Sequence, residues 1–262
     1  MKKLLTIALA LVLICALATA SAATKLVIGA SSTPHAEILE AAKDLLAAKD
    51  LELEIIVFDD YVQPNLQLDA GDLDANYFQH IPYLEDFCAQ NGTKLVSAGA
   101  VHYEPMGIYT NLSKAYTMDT IPEKAVIAVP NDPTNEARAL ALLQAQGLIK
   151  LDVAAGQTAT VLDIVENPKN VEIQEFEAAA VPRMLADVDL AVINSNYALE
   201  AGVDVVGTAI AVEGTDISFP NIIAVREGED RAELQTLVEV LQSEAIVTWI
   251  QETYGTAVVP TK

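Results

Sequence analysis

The sequence predicts an α/β protein made of two successive units, each with a mainly parallel sheet flanked by helices. Short apolar segments alternate with segments of helical periodicity, and this alternation starts again near residue 125. A chain of 262 residues has room for two units of about 120 residues each, and its 52% hydrophobic content can fill their cores. Two sheets that face each other leave a cleft between them, where a ligand is expected to bind.

The first unit begins with a buried-type strand over residues 26–28. Thr33 suits the N-cap of the helix that follows, and Pro34 suits its first helical position. Apolar side chains then recur at helical spacing, at Ile38, Leu39, Ala42, Leu45 and Leu46. The rest of the unit is predicted as strands over 51–58, 73–77 and 94–96, with helices over 62–70 and 82–90.

The second unit repeats the pattern from a fully apolar strand over residues 125–129. Asp132 and Pro133 pair an N-cap residue with an N1 proline, so they begin a helix that ends before Gly147. Further strands are predicted over 171–176, 190–193 and 222–225, and further helices over 178–186, 195–200 and 232–253.

The charge balance excludes one class of partners. The chain has 15 Lys and Arg residues against 37 Asp and Glu residues, which gives a formal net charge of −22. A surface this acidic repels phosphate backbones, so the chain is not expected to bind nucleic acid. Two cysteines, Cys15 and Cys88, are too few for a disulfide scaffold or a cysteine-rich metal site.

Residues 1–22 have the order of a secretory signal peptide. A basic start is followed by an apolar run and then by small residues before the expected cleavage site near Ala22. Ile14 stands before Cys15, where a lipid-modified cysteine needs a small residue, so we do not expect a lipid anchor there. No later segment of the sequence is long and apolar enough to predict a transmembrane helix.

Polar side chains follow several of the predicted strands, at the edge where parallel strands present their carboxyl ends. The aromatic and hydrogen-bonding segment 74–80 follows the third strand, and Asn194 and Asn221 border two later strands. Arg138 lies in the second turn of a predicted helix, where its guanidinium could bind a carboxylate or pair with Glu136. Together these groups match a small zwitterionic amino acid better than a sugar or a bare anion.

Catalytic and metal-binding interpretations have less support. The sequence has no G-x-S-x-G, H-E-x-x-H, P-loop or G-x-G-x-x-G motif, and no base–nucleophile pair is visible. His35, His80 and His102 share no local spacing, although folding could still bring them together around a metal ion. Cys88 lies on the apolar side of a predicted helix and is interpreted as a small buried side chain.

Several long motifs occur in order along the chain. They are PHAEIL at 34–39, DANYFQHIPYL at 74–84, HYEPMG at 102–107, VPNDPTN at 129–135, ARAL at 137–140, ENPK at 166–169 and AVIN at 191–194. From about Thr24 to the C-terminus, the sequence carrying these motifs resembles the methionine-binding, NlpA-type lipoproteins.

The resemblance implies an extracytoplasmic substrate-binding protein that captures L-methionine and delivers it to the membrane subunits of an ABC importer. It implies a two-lobed periplasmic-binding-protein fold that performs no chemistry, uses no cofactor and closes on its ligand by hinge motion. Lobe 1 would comprise residues 23–105 and 215–262 and lobe 2 residues 106–214, with crossovers near 102–109 and 206–221. We further expect a monomeric protein that is soluble in the periplasm.

The resemblance also assigns the polar end of the ligand to three residues. Arg138 would bind the methionine carboxylate with help from Asn194. Asn221, together with Asn194, would hold the α-amino or the carboxylate end.

Four further residues would surround the rest of the ligand. Tyr61 and His80 would add polar contacts, while Phe78 and Tyr83 would wall the thioether side chain, whose sulfur favours aromatic edges. D-methionine, a Gly-Met-type dipeptide or another amino acid are alternative ligands. A periplasmic metal-binding protein and an enzyme on the same fold are alternative functions.

Overall fold

The computed structural model describes residues 23–111, 113–154, 157–205, 207–214 and 219–262. The expected signal peptide over residues 1–22, with Cys15, and part of the expected crossover over 206–221 lie outside the described residues. The described strands form a six-stranded sheet, a five-stranded sheet and a small two-stranded sheet. No helix in this part of the chain has the length and apolar content that crossing a bilayer requires.

Strands and helices alternate along the described chain. The first elements are β1 (Thr24–Ser31), α1 (Glu37–Ala47), β2 (Leu51–Phe58), α2 (Gln63–Ala70), β3 (Ala75–His80), α3 (Ile81–Asn91), β4 (Leu95–Tyr103) and β5 (Gly107–Thr110). They are followed by β6 (Val126–Pro130), α4 (Pro133–Ala145), β7 (Lys150–Leu151), β8 (Ile164–Glu166), β9 (Glu172–Phe176), α5 (Val181–Met184), β10 (Leu190–Ile193) and α6 (Ser195–Glu200). The last are β11 (Ala209–Val212), β12 (Asn221–Arg226), α7 (Ala232–Leu241), α8 (Glu244–Tyr254) and β13 (Val259–Pro260).

Each large sheet combines a parallel block with an inserted antiparallel strand. The first sheet has the order β13-β4-β12-β3-β1-β2, in which β12 pairs antiparallel with both β3 and β4. The second has the order β11-β5-β10-β6-β9, in which β5 pairs antiparallel with both β10 and β11. Most strands of each sheet therefore share one direction, and the α/β class predicted from the sequence is confirmed.

The two inserted strands are those that follow the passages between the sheets. The chain leaves the first sheet after Tyr103 and enters the second at Gly107, then returns to the first between Val212 and Asn221. β5 and β12 are the first strands after these two passages. Hydrophobic periodicity reports which side chains are buried and not which strands pair, so the sequence could not place these insertions.

Helices cover both faces of each large sheet. On the first sheet, α1 and α7 bury Leu39 and Leu237 against one face, and α2 buries Leu68 against the other. On the second sheet, α4 buries Leu140 against one face and α5 buries Val181 against the other. This coverage explains why a strand such as β10 is apolar and buried at every position, as strands of covered parallel sheets are.

The backbone turns helical at the predicted place, directly after Thr33. Within Ser32–Ala36, only Thr33 has a non-helical backbone, with φ of −132° and ψ of 140°, and Ala36 leads into α1 with φ of −64° and ψ of −35°. An extended backbone is typical of an N-cap residue, and proline is favoured at the position that follows it. The Thr33–Pro34 peptide bond is cis, which the sequence did not predict.

Two later elements differ from their predictions. The helix predicted over 232–253 is divided into α7 and α8, because Ser243 between them has an extended backbone with φ of −70° and ψ of 154°. The strand predicted over 94–96 continues to Tyr103 as β4, because β12 pairs with it along most of its length.

Candidate functional site

One cavity lies where the carboxyl ends of β2, β3, β6 and β10 approach the beginning of β12. It is lined by Tyr61, Phe78, Gln79, His80, Tyr83, Glu104, Asn135, Arg138, Asn194, Ser195, Asn196 and Asn221. The structure therefore brings together all seven residues that the sequence analysis selected.

Five lining residues were missed: Gln79, Glu104, Asn135, Ser195 and Asn196. Four of them lie in or directly beside the motifs at 74–84, 102–107, 129–135 and 191–194, so the sequence carried a signal for their positions. It carried no signal for their side-chain directions, because each direction depends on contacts from another strand or helix.

Arg138 is held in place by a carboxylate from the second passage between the sheets. Its Nε donates a hydrogen bond to Glu213 at 3.1 Å and its Nη2 donates to the same carboxylate at 2.6 Å. Nη2 also donates to the backbone oxygen of Glu104 at 3.2 Å. The alternative pairing with Glu136 is not formed, since Glu136 accepts from the backbone N–H of Val161 at 3.0 Å. Nη1 has no hydrogen-bond partner within the described ranges.

Three aromatic rings form one wall of the cavity. The ring centroids of Tyr61 and Phe78 are 5.7 Å apart, and those of Phe78 and Tyr83 are 6.0 Å apart. The hydroxyl of Tyr83 donates to the backbone oxygen of Tyr61 at 2.9 Å, which positions the Tyr83 ring. Burial raises the pKa of the Tyr61 hydroxyl well above its usual value, so it stays protonated and donates to Oδ1 of Asn196 at 2.6 Å.

Asn135 organises the opposite side of the cavity. Asp132, the N-cap of α4, accepts from the Asn135 backbone N–H at 3.0 Å and from Nδ2 at 2.9 and 3.0 Å. Oδ1 of Asn135 then accepts from Nδ2 of Asn194 at 2.8 Å and from Nε2 of His80 at 3.3 Å. Because Nδ1 of His80 accepts from the backbone N–H of Tyr83 at 3.1 Å, both ring nitrogens have protein partners. Burial lowers the pKa of His80 to about 3, so the ring is neutral.

Two buried amide atoms at the cavity have no hydrogen-bond partner within the described part of the chain. They are Oδ1 of Asn194, an acceptor, and Nδ2 of Asn196, a donor. Both side chains line the cavity and are almost fully buried. An unpaired polar atom in such a place is costly, which is a reason to expect a ligand that supplies one donor and one acceptor.

A chain of hydrogen bonds lies behind the cavity and reaches Asn221. Oδ1 of Asn221 contacts Nε2 of His35 at 3.0 Å, and the same nitrogen lies 3.2 Å from Oε1 of Glu104. Oε1 of Glu104 also accepts from Nε2 of His102 at 2.7 Å, and Nδ1 of His102 bonds the Tyr77 hydroxyl. Burial lowers the pKa of His35 to about 4 and that of His102 to about 3, so both rings are neutral.

His35, His102 and Glu104 are also the group best placed to hold a metal ion among the described residues. Their potential ligand atoms lie within 4.8 Å of one another. The distances from Oε1 of Glu104, 2.7 and 3.2 Å, are hydrogen-bond distances, and the neighbouring Asn221 and Tyr77 complete a hydrogen-bonded arrangement. His80, the third histidine of the metal hypothesis, is bonded to Asn135 instead.

A family model agrees with this architecture. The model of the NlpA lipoprotein family matches residues 26–262. The chain belongs to this family. NlpA proteins are substrate-binding proteins and not enzymes, and the solved structures similar to this chain include an ABC-transporter periplasmic substrate-binding protein. The expected periplasmic-binding-protein fold is therefore confirmed.

Named relatives within the NlpA family give more detail. The methionine-binding lipoprotein MetQ of Bacillus subtilis is 42% identical over 242 residues, covering 90% of this chain and 88% of its own. The D-methionine-binding lipoprotein MetQ of Escherichia coli O157:H7 is 43% identical over 216 residues, covering 80% of this chain and 78% of its own. The structure of a nutrient binding protein from Burkholderia cenocepacia bound to methionine is 44% identical, with a TM-score of 0.86, and covers 90% of this chain and 100% of that one.

Proposed function

We propose that this protein is exported, captures L-methionine in the cavity and delivers it to the membrane subunits of an ABC importer. The observation that carries the proposal is the pairing of an aromatic wall with an unsatisfied buried acceptor and an unsatisfied buried donor in one cavity. A free amino acid with an apolar side chain has an ammonium for the acceptor, a carboxylate for the donor and a side chain for the aromatic wall. Two NlpA relatives at about 40% identity are named for methionine or D-methionine, which supports this ligand class.

The ligand carboxylate is assigned to Arg138 and Asn221. Because Glu213 occupies Nε and Nη2 of Arg138, the carboxylate meets the guanidinium through Nη1. Asn221 directs Nδ2 towards the ligand, since its Oδ1 contacts His35. Asn194 is assigned to the α-ammonium instead of the carboxylate, because its Nδ2 is bonded to Asn135 and its free atom is the acceptor Oδ1.

The side chain of the ligand is assigned to the aromatic wall. Sulfur–aromatic contacts favour a thioether there by about 0.3–1.5 kcal/mol. His80 contributes an apolar ring edge rather than a hydrogen bond, because Tyr83 and Asn135 occupy its two nitrogens.

The two sheets act as two lobes that close on the ligand. Lobe 1 comprises residues 23–105 and 215–262, and lobe 2 comprises residues 106–214. Two hydrogen bonds connect the lobes. The hydroxyl of Tyr61 in lobe 1 donates to Oδ1 of Asn196 in lobe 2 at 2.6 Å, and the hydroxyl of Tyr197 in lobe 2 donates to the backbone oxygen of Asp59 in lobe 1 at 3.4 Å. A ligand that contacts both lobes stabilises this closed arrangement by its differential affinity. Small-angle scattering with and without L-methionine tests the closure, which should reduce the radius of gyration of a monomer.

The form of the exported protein is a separate part of the proposal. The relatives are named lipoproteins, whereas Ile14 precedes Cys15 in this chain. We therefore propose a soluble periplasmic monomer. Intact-mass spectrometry of protein purified from its native membranes and from the soluble fraction distinguishes the cleaved soluble form from a lipid-modified form. A soluble mass that begins near Ala23 supports it, and a lipid-modified N-terminal cysteine contradicts it.

The experiment for the function is native mass spectrometry of the purified mature protein, followed by calorimetric titration after partial unfolding has removed any bound ligand. A bound mass equal to methionine and tight rebinding of L-methionine, with weak rebinding of L-leucine, are the expected results. Tighter binding of D-methionine or of a Gly-Met dipeptide would keep the role and change the substrate. A bound metal, or no response to methionine, would contradict the assignment of the cavity.

A further inference from the structure

We propose that Asn196 is a further specificity-determining residue, which binds the ligand carboxylate through Nδ2 and transmits that contact to Tyr61. The inference rests on the proposed function, because it assumes that a free amino acid occupies the cavity. Arg138 and Asn221 are assigned to the same carboxylate, but the hydrogen bond to the Tyr61 hydroxyl is made by Asn196.

The direction of the Asn196 amide is set by its other atom. Oδ1 accepts from the hydroxyl of Tyr61 at 2.6 Å, and burial raises the pKa of that hydroxyl, which keeps it protonated and able to donate. Nδ2 is then left without a partner, although the side chain is only 3% exposed. Asn196 lines the cavity, so a ligand is the group that can satisfy this donor.

The chemistry of an amino acid decides which of its groups pairs with Nδ2. The α-ammonium is a donor only, and a thioether sulfur is a weak acceptor, whereas each carboxylate oxygen is a strong acceptor. Asn194, two residues earlier, presents an acceptor to the same cavity. The two asparagines therefore have opposite polarity, and they distinguish the two ends of a zwitterion.

The Asn196 amide also joins the two sheets. Tyr61 lies between β2 and α2 of the first sheet, and Asn196 lies in α6 after β10 of the second. A carboxylate on Nδ2 polarises the amide and strengthens the acceptor Oδ1 that holds the Tyr61 hydroxyl. The carboxylate thus stabilises the contact between the sheets as it binds, which an uncharged analogue does less well.

Asn196→Asp is the most direct variant, because it keeps Oδ1 for Tyr61 and replaces the donor by an oxygen. L-methionine and L-methioninamide are titrated into wild-type protein and the variant. The amide ligand keeps the side chain and the ammonium, and its own N–H groups can pair with the aspartate. The affinity for L-methionine divided by the affinity for L-methioninamide should be at least tenfold lower in Asn196→Asp than in wild-type protein.

Two controls separate this role from added charge and from misfolding. Gln79→Glu adds the same charge at the cavity, at a side chain that is already bonded to Asn65 and Asn76. An equal fall of the ratio in Gln79→Glu would overturn the inference. If Asn196→Asp does not fold, Asn196→Ala replaces it as the test variant. Adding Tyr61→Phe to Asn196→Ala should then cost at least threefold less affinity for L-methionine than Tyr61→Phe costs in wild-type protein.

Failure of the inference and failure of the proposed function give different results. If wild-type protein binds L-methionine and the affinity ratio is unchanged in the Asn196 variants, the role of Asn196 is wrong and the function stands. If wild-type protein binds neither ligand, both are wrong.

Discussion

The carboxylate of Glu213 holds the guanidinium of Arg138 through two hydrogen bonds, at 3.1 Å to Nε and at 2.6 Å to Nη2. The same carboxylate accepts from the backbone N–H of Met106 at 2.7 Å. Met106 lies in the first passage between the sheets and Glu213 in the second. One side chain therefore connects both passages to the cation of the cavity, and it occupies two of the three guanidinium nitrogens of Arg138.

Replacing Arg138 tests the carboxylate assignment. Arg138→Ala should weaken L-methionine binding by about 1.5–3 kcal/mol, the size of a lost hydrogen bond to a charged group. Arg138→Lys should recover only part of the loss, because an ammonium cannot satisfy Glu213 at two points and also reach the ligand. Calorimetry measures both variants against Arg183→Ala, which changes an arginine outside the cavity lining. Wild-type affinity in Arg138→Ala would show that the assignment is wrong.

Replacing Phe78 tests the aromatic wall. Phe78→Leu keeps an apolar side chain and removes the ring, so the preference for L-methionine over norleucine, which lacks the sulfur, should fall by about 0.3–1.5 kcal/mol. Phe87→Leu is the matched control, since Phe87 packs behind Tyr83 with ring centroids 6.3 Å apart and does not line the cavity. Competition titrations with both ligands measure the preference. An equal change in the two variants would contradict a direct contact at Phe78.

The three buried histidines predict how stability changes with pH. Burial lowers the pKa of His35 to about 4 and the pKa values of His80 and His102 to about 3, from 6.5. The unfolded chain therefore takes up protons between pH 6.5 and pH 4 that the folded protein does not, and stability falls as the pH falls through this window. Each histidine should cost about 2 kcal/mol between pH 7 and pH 5. The raised pKa of Glu104 acts in the opposite direction and offsets part of this loss.

Urea unfolding of ligand-free protein at several pH values measures the effect. His80→Gln is the informative variant. Removing one buried imidazole should reduce the slope of the unfolding free energy against pH by the equivalent of about one bound proton over this window. Equal stability at pH 7 and pH 5, or an unchanged slope in His80→Gln, would show that these rings do not govern the acid sensitivity.

Gly29 predicts a steric effect in the first sheet. A Cβ at this position of β1 would lie 2.6 Å from Cδ1 of Leu73 and 3.0 Å from Cε2 of Phe58. Gly29→Ala should therefore destabilise the protein by about 1–3 kcal/mol through overpacking. Gly214→Ala is the comparison, since no described atom lies within 4 Å of its Cβ position. Chemical denaturation measures both, and an undiminished stability in Gly29→Ala would refute the packing described for β1.

Much of the fold could be predicted from the sequence because it depends on local periodicity. The strand over 190–193 and the helix beginning at Pro133 were placed correctly from apolar runs and capping residues. The insertion of β12 between β3 and β4 could not be predicted, because pairing joins segments that are more than a hundred residues apart. The break at Ser243 carried a signal that was overlooked, since serine before an acidic residue is a common helix start.

The site was predictable in its members and less so in their directions. Strand ends and motif resemblance led to Arg138, Asn194 and the aromatic residues, which do line one cavity. Two features could not be predicted from the sequence. Glu213 occupies two nitrogens of Arg138, and the bond from Nδ2 of Asn194 to Asn135 leaves Oδ1 of Asn194 without a partner among the described residues. Those directions follow from hydrogen bonds between distant elements, and such contacts leave no local pattern.

Calorimetric titration of the ligand-stripped protein tests the central claim most directly. L-methionine, D-methionine, Gly-Met and L-leucine are each added to the same preparation at neutral pH. We expect L-methionine to bind most tightly, one molecule per chain, and L-leucine to bind at least a hundredfold more weakly. No binding of any methionine-containing ligand by a folded protein would contradict it.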